Sequence, residues 1–170
     1  MTESAQNVFK HLLRDAVAPE LRRQGLKGSG SAYVLPDAAF WAQVGFQRST
    51  SSNSDLVKFT INLKVTEKEW WDEQRRDHSP LKDTPPPGVD RTSWDAQRLE
   101  RSLYPARPGA NTSGEGRVER IGQLIPGIEA HHWWSLSADN AERVMEDALW
   151  ALLSYGLPWL RREIQVKGTD

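Results

Sequence analysis

The side chains that could do chemistry are few, and their spacing argues against most of what they could do. His131 and His132 are adjacent, the first thing to weigh as a metal pair. In a strand, neighbours point to opposite faces and cannot share one ion, and His11 and His78 lie in unrelated segments. The carboxylates Glu69, Glu73 and Asp77 fall about one turn apart on a helix whose charges read as a solvated face. Acid–base hydrolysis of glycosides needs two carboxylates across a cleft, with environments that separate their pKa values. Serines are plentiful, but none sits in a GxSxG or SxxK frame. There is no cysteine, so disulfides, thiol nucleophiles and zinc–thiolate sites are ruled out. The cluster Lys27-Gly28-Ser29-Gly30-Ser31 runs from a helix into a strand, whereas phosphate loops run from a strand into a helix N-terminus. No catalytic residue, metal or cofactor is expected from these patterns.

What remains is a set of recognition residues along a hairpin. Over 40–65 apolar and polar residues alternate with a period of two, which sends them to opposite faces of a strand. Phe40, Ala42, Val44 and Phe46 form one row of the first arm, and Trp41, Gln43, Gly45, Gln47 and Ser49 the other. In the second arm Val57, Phe59, Ile61, Leu63 and Val65 are apolar, and Lys58, Thr60, Asn62 and Lys64 polar. Thr50 to Asp55, rich in Ser, Thr and Asn, supplies the turn. The candidate binding residues are Trp41, Gln43, Gln47, Ser49, Lys58, Thr60 and Asn62, joined by Arg120 and Trp133 from later strands. Aromatics among amides and hydroxyls suit recognition, because Trp and Tyr concentrate in binding hot spots.

The hairpin needs cover on its apolar side, and the flanking segments provide it. Val8, Phe9, Leu12, Leu13, Ala16, Val17 and Leu21 recur at helical spacing, with Pro19 expected to kink or restart the helix and Gly25 to end it. A short strand follows at 32–35. Thr66 and Glu69 have the spacing of a capping box, predicting a helix to Asp77 with an Asp72–Arg76 pair on its surface. Long polar loops are expected near 78–92 and 104–116, with a short helix at 93–103. Strands are predicted at 118–125 and 131–136. Asp139 is placed to cap a last helix lined by Val144, Met145, Ala148, Leu149 and Leu152, ended by Gly156 and followed by a short closing helix from Leu157.

The composition narrows the class. With 170 residues, a single domain with a real core is the simplest division. A formal net charge of −1, from 22 basic and 23 acidic residues, lacks the excess of a nucleic-acid or membrane-surface protein. The outer row of Lys58 to Leu63 also lacks the aromatic pattern on which RNA-recognition sheets stack bases. No apolar run reaches membrane-spanning length and the N-terminus lacks a signal-peptide pattern, so a cytoplasmic location is expected.

Several pieces, in one order across most of the chain, resemble a bacterial family of unknown function, the domain family numbered 4304. They are Leu21-Arg22-Arg23-Gln24-Gly25-Leu26-Lys27 with Gly30 and Tyr33, Val44 to Ser49, Phe59 to Leu63, Arg120-Ile121-Gly122, Trp133-Trp134 and Gly156-Leu157-Pro158-Trp159. Leu26 and Gly45 depart from the Phe and Asn expected there, and 82–116 is not covered. The resemblance implies a shared α+β fold and brings no catalytic residues.

The expectation is therefore one α+β domain over 1–170. An antiparallel sheet of about five strands carries the N- and C-terminal helices on one face and leaves the other partly open. Function is expected to be non-catalytic binding through that polar, Trp-bearing face, to a protein partner or a second copy. An immunity-type partnership with another bacterial protein is one form this would take, and a small-molecule ligand is compatible. The rival expectation is a small hydrolase or transferase with a site around Arg48, Asn62, Arg120 and His131.

Overall fold

In a computed structural model, which describes residues 3–77, 83–85 and 117–168, the chain forms an antiparallel sheet backed by helices. The expected helix at 93–103 and loop at 104–116 lie outside those residues, as does most of the expected loop at 78–92.

The long hairpin is the centre of the sheet. Strands β3 (Phe40–Arg48) and β4 (Val57–Glu67) pair from Phe40 opposite Glu67 to Arg48 opposite Phe59, in the register the alternation requires. At its tip the Asn53 side-chain carbonyl accepts from the backbone N–H groups of Asp55 and Leu56, an Asx turn. On one side β2 (Ala32–Leu35) joins β3, and β1 (Lys27–Ser29) joins β2. The glycine cluster makes the edge strand β1. Gly28 has φ +136°, and a Cβ there would come within 2.3 Å of the Ala32 carbonyl oxygen, so the close approach demands glycine. On the other side β5 (Arg117–Arg120) and β6 (Trp134–Leu136) both pair with β4, for six strands in all among the described residues.

Both later strands are shorter than the alternation predicts. After Arg120 the chain tightens into a 3-10 turn, Ile121–Gln123, and residues 128–132 fold back against it. At Gly122 a Cβ would stand 2.6 Å from the Glu129 carbonyl oxygen, which leaves no room for a side chain. His131 and His132 therefore lie ahead of β6 rather than in it.

Each terminal helical segment is continuous through a proline. Helix α1 (Ala5–Leu12) passes through a π turn, Leu13–Val17, into α2 (Ala18–Arg23), where Pro19 sits in the first turn. Helix α4 (Ala141–Ala151) does the same through Leu152–Gly156 into α5 (Leu157–Lys167), with Pro158 in the same place. Proline lacks an N–H and its ring crowds the carbonyl one turn back; an i→i−5 turn widens the helix just where that ring must fit. The bonds are Ala18 N–H to Leu13 C=O and Leu157 N–H to Leu152 C=O. Gly156 consequently does not end a helix. A Cβ there would meet Leu152 Cδ1 at 2.7 Å and Ile121 Cδ1 at 3.0 Å, so glycine lets the helix lie close on the sheet. The helix begins after Asn140, one residue later than Asp139.

These helices cover the inner face, as their apolar stripes require. Phe9, Leu13, Val17 and Leu21 from the first segment and Met145, Leu152, Leu157 and Leu160 from the last are buried with Val44, Phe59, Ile61, Leu63 and Val65 of the hairpin. Phe59 is the hub, its ring 5.0 Å from Phe9, 6.4 Å from Phe46 and 5.6 Å from Trp134. The Trp134 indole also donates to Asp147 Oδ2 at 2.8 Å, so its polar edge is satisfied. Helix α3 (Lys68–Asp77) leaves β4 directly. Its first N–H, on Lys68, donates to the Ala39 carbonyl, while the Thr66 hydroxyl makes no bond: Thr66 belongs to the strand and the capping box does not form. Asp72 pairs with Arg75 instead of Arg76.

Candidate functional site

The outer face of the hairpin gathers most of the candidate binding residues, but it is not open along its length. Pleating places Trp41 opposite Thr66, Gln43 opposite Lys64, Gly45 opposite Asn62 and Gln47 opposite Thr60, all on one side. Arg120 lies beside Asn62 from β5. Gln43 is only 3% exposed and Asn62 2%, while Thr60, Lys64 and Thr66 are fully buried. The face expected to be partly open is closed at its centre, where the polar residues are enclosed. Gln43 Nε2 donates to the Pro85 carbonyl at 2.7 Å, and Thr60 Oγ1 donates to the His132 carbonyl at 2.9 Å, so two non-adjacent segments reach across the row. The Lys68 ammonium stands 4.7 Å above the Trp41 ring.

Towards the hairpin tip the face reaches solvent. Gln47 is half-buried and accepts from Asn62 Nδ2 at 2.7 Å. Ser49 is half-buried and Lys58 exposed, the strands closing there with Ser49 N–H to Lys58 C=O. Arg120 and Trp133 are half-buried, with the guanidinium 5.5 Å from the indole ring. Trp41, Gln43, Gln47, Thr60, Asn62 and Arg120 thus share one side of the sheet with Trp133 against them, while Ser49 and Lys58 mark its far end.

The electrostatic character of the enclosed part is unusual. Trp41 Nε1, Gln43 Oε1, Asn62 Oδ1 and Thr66 Oγ1 are each buried without a hydrogen-bond partner. The bond to the Pro85 carbonyl fixes the Gln43 amide, so its free atom is the carbonyl oxygen, whereas Asn62 and Gln47 pair amide to amide and fit each other either way round. One further buried orphan, the Tyr33 hydroxyl, lies in the inner core, where burial pushes the phenol above its ordinary value of 10.0.

The chain belongs to the DUF4304 family. The family model, described as a domain of unknown function, matches residues 17–162, most of the chain. Neither the curated proteins nor the solved structures contain a match to it. The match takes in the features that fix this DUF4304 fold: the Gly28 approach, the Gly122 contact and Gly156 against the sheet.

The rival catalytic set is not assembled in this DUF4304 chain. Asn62 and Arg120 are register partners, but Arg48 is exposed at the end of β3 and falls in the other row, and His131 is exposed in a turn. Among the described residues there is no group of three or more His, Asp or Glu placed to hold a metal, and no helix is long and apolar enough to cross a membrane.

Thr66 and Lys64 are site residues that the binding set omits. Continuing the alternation two residues past Lys64 places Thr66 in the polar row, but the S/T-x-x-E pattern at the same position points to a helix cap. Trp71, fully enclosed yet outside the inner cluster, has no periodic signal to mark it.

Proposed function

We propose that this DUF4304 chain is a non-catalytic cytoplasmic binding module that recognises its partner through the polar, Trp-bearing face of the β3–β4 hairpin. One observation carries the reading: four buried polar atoms without partners, at Trp41, Gln43, Asn62 and Thr66, lie on that face. Folded proteins pair nearly all such groups, because each one left unpaired costs about 1–3 kcal/mol. A face that tolerates four is one whose remaining bonds come from something bound.

The solvent-reaching end, with Gln47, Ser49, Lys58, Arg120 and Trp133, suits a protein partner. Arg and Trp are the residue types that dominate interface energetics, and an Arg already held against a Trp ring loses little freedom on binding. An immunity-type partnership with another bacterial protein fits this surface, and so does a second copy of the chain.

The test is native mass spectrometry of the full chain purified gently from its own cells, beside the Trp41→Ala, Gln47→Ala, Asn62→Ala triple variant. The wild type is expected to carry a stoichiometric protein or small molecule that the folded variant lacks. A bare wild-type monomer, or equal loading of both, overturns the proposal.

A further inference from the structure

The two terminal helical segments share a residue pattern that the fold brings to one place. Leu13 opens the first π turn and is followed by Pro19, Leu21, Arg22 and Arg23; Leu152 opens the second and is followed, at the same spacings, by Pro158, Leu160, Arg161 and Arg162. In each segment the leucines are buried and the arginine pair is exposed. The matched arginines Arg22 and Arg161 meet at a single turn. Helix α2 is capped at Gln24, Gly25 takes φ +92° to redirect the chain, and β1 begins at Lys27. Arg161 Nη2 donates to the Gln24 carbonyl at 3.2 Å, and Arg22 Nη2 to the Gly28 carbonyl at 3.0 Å. Four residues of chain reach about 14 Å at most, and this stretch turns, so the two held guanidiniums are neighbours.

The turn carries charge of one sign. Lys27 is exposed within it, and Arg23 and Arg162 flank the held pair in sequence. Glu20, the one carboxylate of α2, is already taken up by Arg23 and Gln24. Among the described residues no carboxylate pairs with Arg22, Lys27 or Arg161. Each held guanidinium uses one N–H on a carbonyl and keeps four, in a fork that matches a carboxylate. Its side chain is ordered beforehand, so less freedom is lost on binding. A nucleic acid would call for a basic stripe longer than one turn, and a net charge of −1 offers a polyanion no long-range attraction. We infer that Arg22, Lys27 and Arg161 form a docking site for an acidic segment of a partner protein, with carboxylates close enough in its sequence to engage both guanidiniums. The site lies where the helical layer meets the β1 edge, so it is a second contact surface beside the Trp-bearing face of the hairpin.

The test is a titration of the nitrogen-15-labelled full chain with blocked hexaglutamate, read at the arginine Nε–H resonances. Arg22→Lys and Arg161→Lys assign the signals, hexaglutamine is the uncharged counterpart, and hexathymidylate and inorganic phosphate supply other anions. Hexaglutamate is expected to shift Arg22 and Arg161 saturably and to leave Arg143, exposed on α4, in place. Replacing both arginines, Arg22→Gln with Arg161→Gln, is expected to weaken it at least about tenfold. Lys27 makes no side-chain bond among the described residues, so Lys27→Gln is expected to weaken it about two- to fivefold with urea unfolding unchanged. The inference is overturned if Arg22 and Arg161 stay still, if Arg143 shifts in parallel, or if hexaglutamine binds as well. Tighter binding of hexathymidylate or phosphate at equal ionic strength overturns it in favour of a phosphate site. Wild-type affinity in Lys27→Gln, with earlier urea unfolding of the double variant, overturns it too, and makes the arginines caps of the helix and turn.

Discussion

The two faces of the β3–β4 hairpin are both buried at their centre, yet they are buried on different terms. Inside, Val44, Phe59, Ile61, Leu63 and Val65 meet two helical segments and bury no polar atom of their own side chains. Outside, Gln43, Thr60, Asn62, Lys64 and Thr66 are enclosed just as fully, and three of them keep an unpaired polar atom. Burial of apolar surface stabilises a fold by about 25 cal/mol per Å², whereas enclosing an unpaired amide or hydroxyl works against it. The inner face therefore holds the domain together, and the outer face is held in place by it.

The sharpest way to break this comparison is to delete from each face in turn. Phe59→Ala removes the ring on which Phe9, Phe46 and Trp134 converge, and is expected to cost about 3–5 kcal/mol in urea unfolding. A cost under about 1 kcal/mol would show that the inner face is not the stabilising one. Gly156→Ala places a methyl against the terminal methyls of Leu152, Ile121 and Leu63, side-chain ends that can shift, and alanine favours the helix, so the loss in the same assay is expected to stay below about 2 kcal/mol. A larger loss would show that the packing between this helix and the sheet cannot give.

Tyr33 gives the smallest effect and sharpens the point, because it is an outer-face kind of defect inside the inner core. Its hydroxyl has no partner and burial raises its pKa, so the unfolded chain loses the phenolic proton at lower pH than the folded one. Stability from this group is intact below pH 10.0 and falls as pH rises through the folded value. Tyr33→Phe is expected to be within about 1 kcal/mol of wild type near neutrality and to lose that alkaline decline. A phenylalanine variant that retains the decline would place its cause elsewhere.

Much of this architecture was legible in the residue order. Alternation over 40–65 gives the strands, the register and the side of every residue, because a one-residue slip would expose the whole apolar row. What alternation cannot register is cover from distant segments. A row of Gln, Thr, Asn and Lys reads as solvent-facing, and the Pro85 and His132 carbonyls, arriving from far along the chain, show otherwise. The same limit explains the helices: Pro19 and Pro158 signal a break, but packing on both sides favours a π turn that keeps the segment whole. At Gly122 and Gly156 a residue that usually ends elements serves instead to let backbone or side chains come close.

The central claim, that the outer face is polar for recognition and not for stability, is tested most directly by urea unfolding of the Asn62→Leu, Thr66→Val double variant in the absence of any ligand. Two unpaired polar atoms are removed, and half-buried Gln47 can turn to water when it loses Asn62. The variant is expected to match or exceed wild-type stability to within about 1 kcal/mol. A loss of about 3 kcal/mol or more, the size of a broken buried network, would make these residues structural and contradict the account.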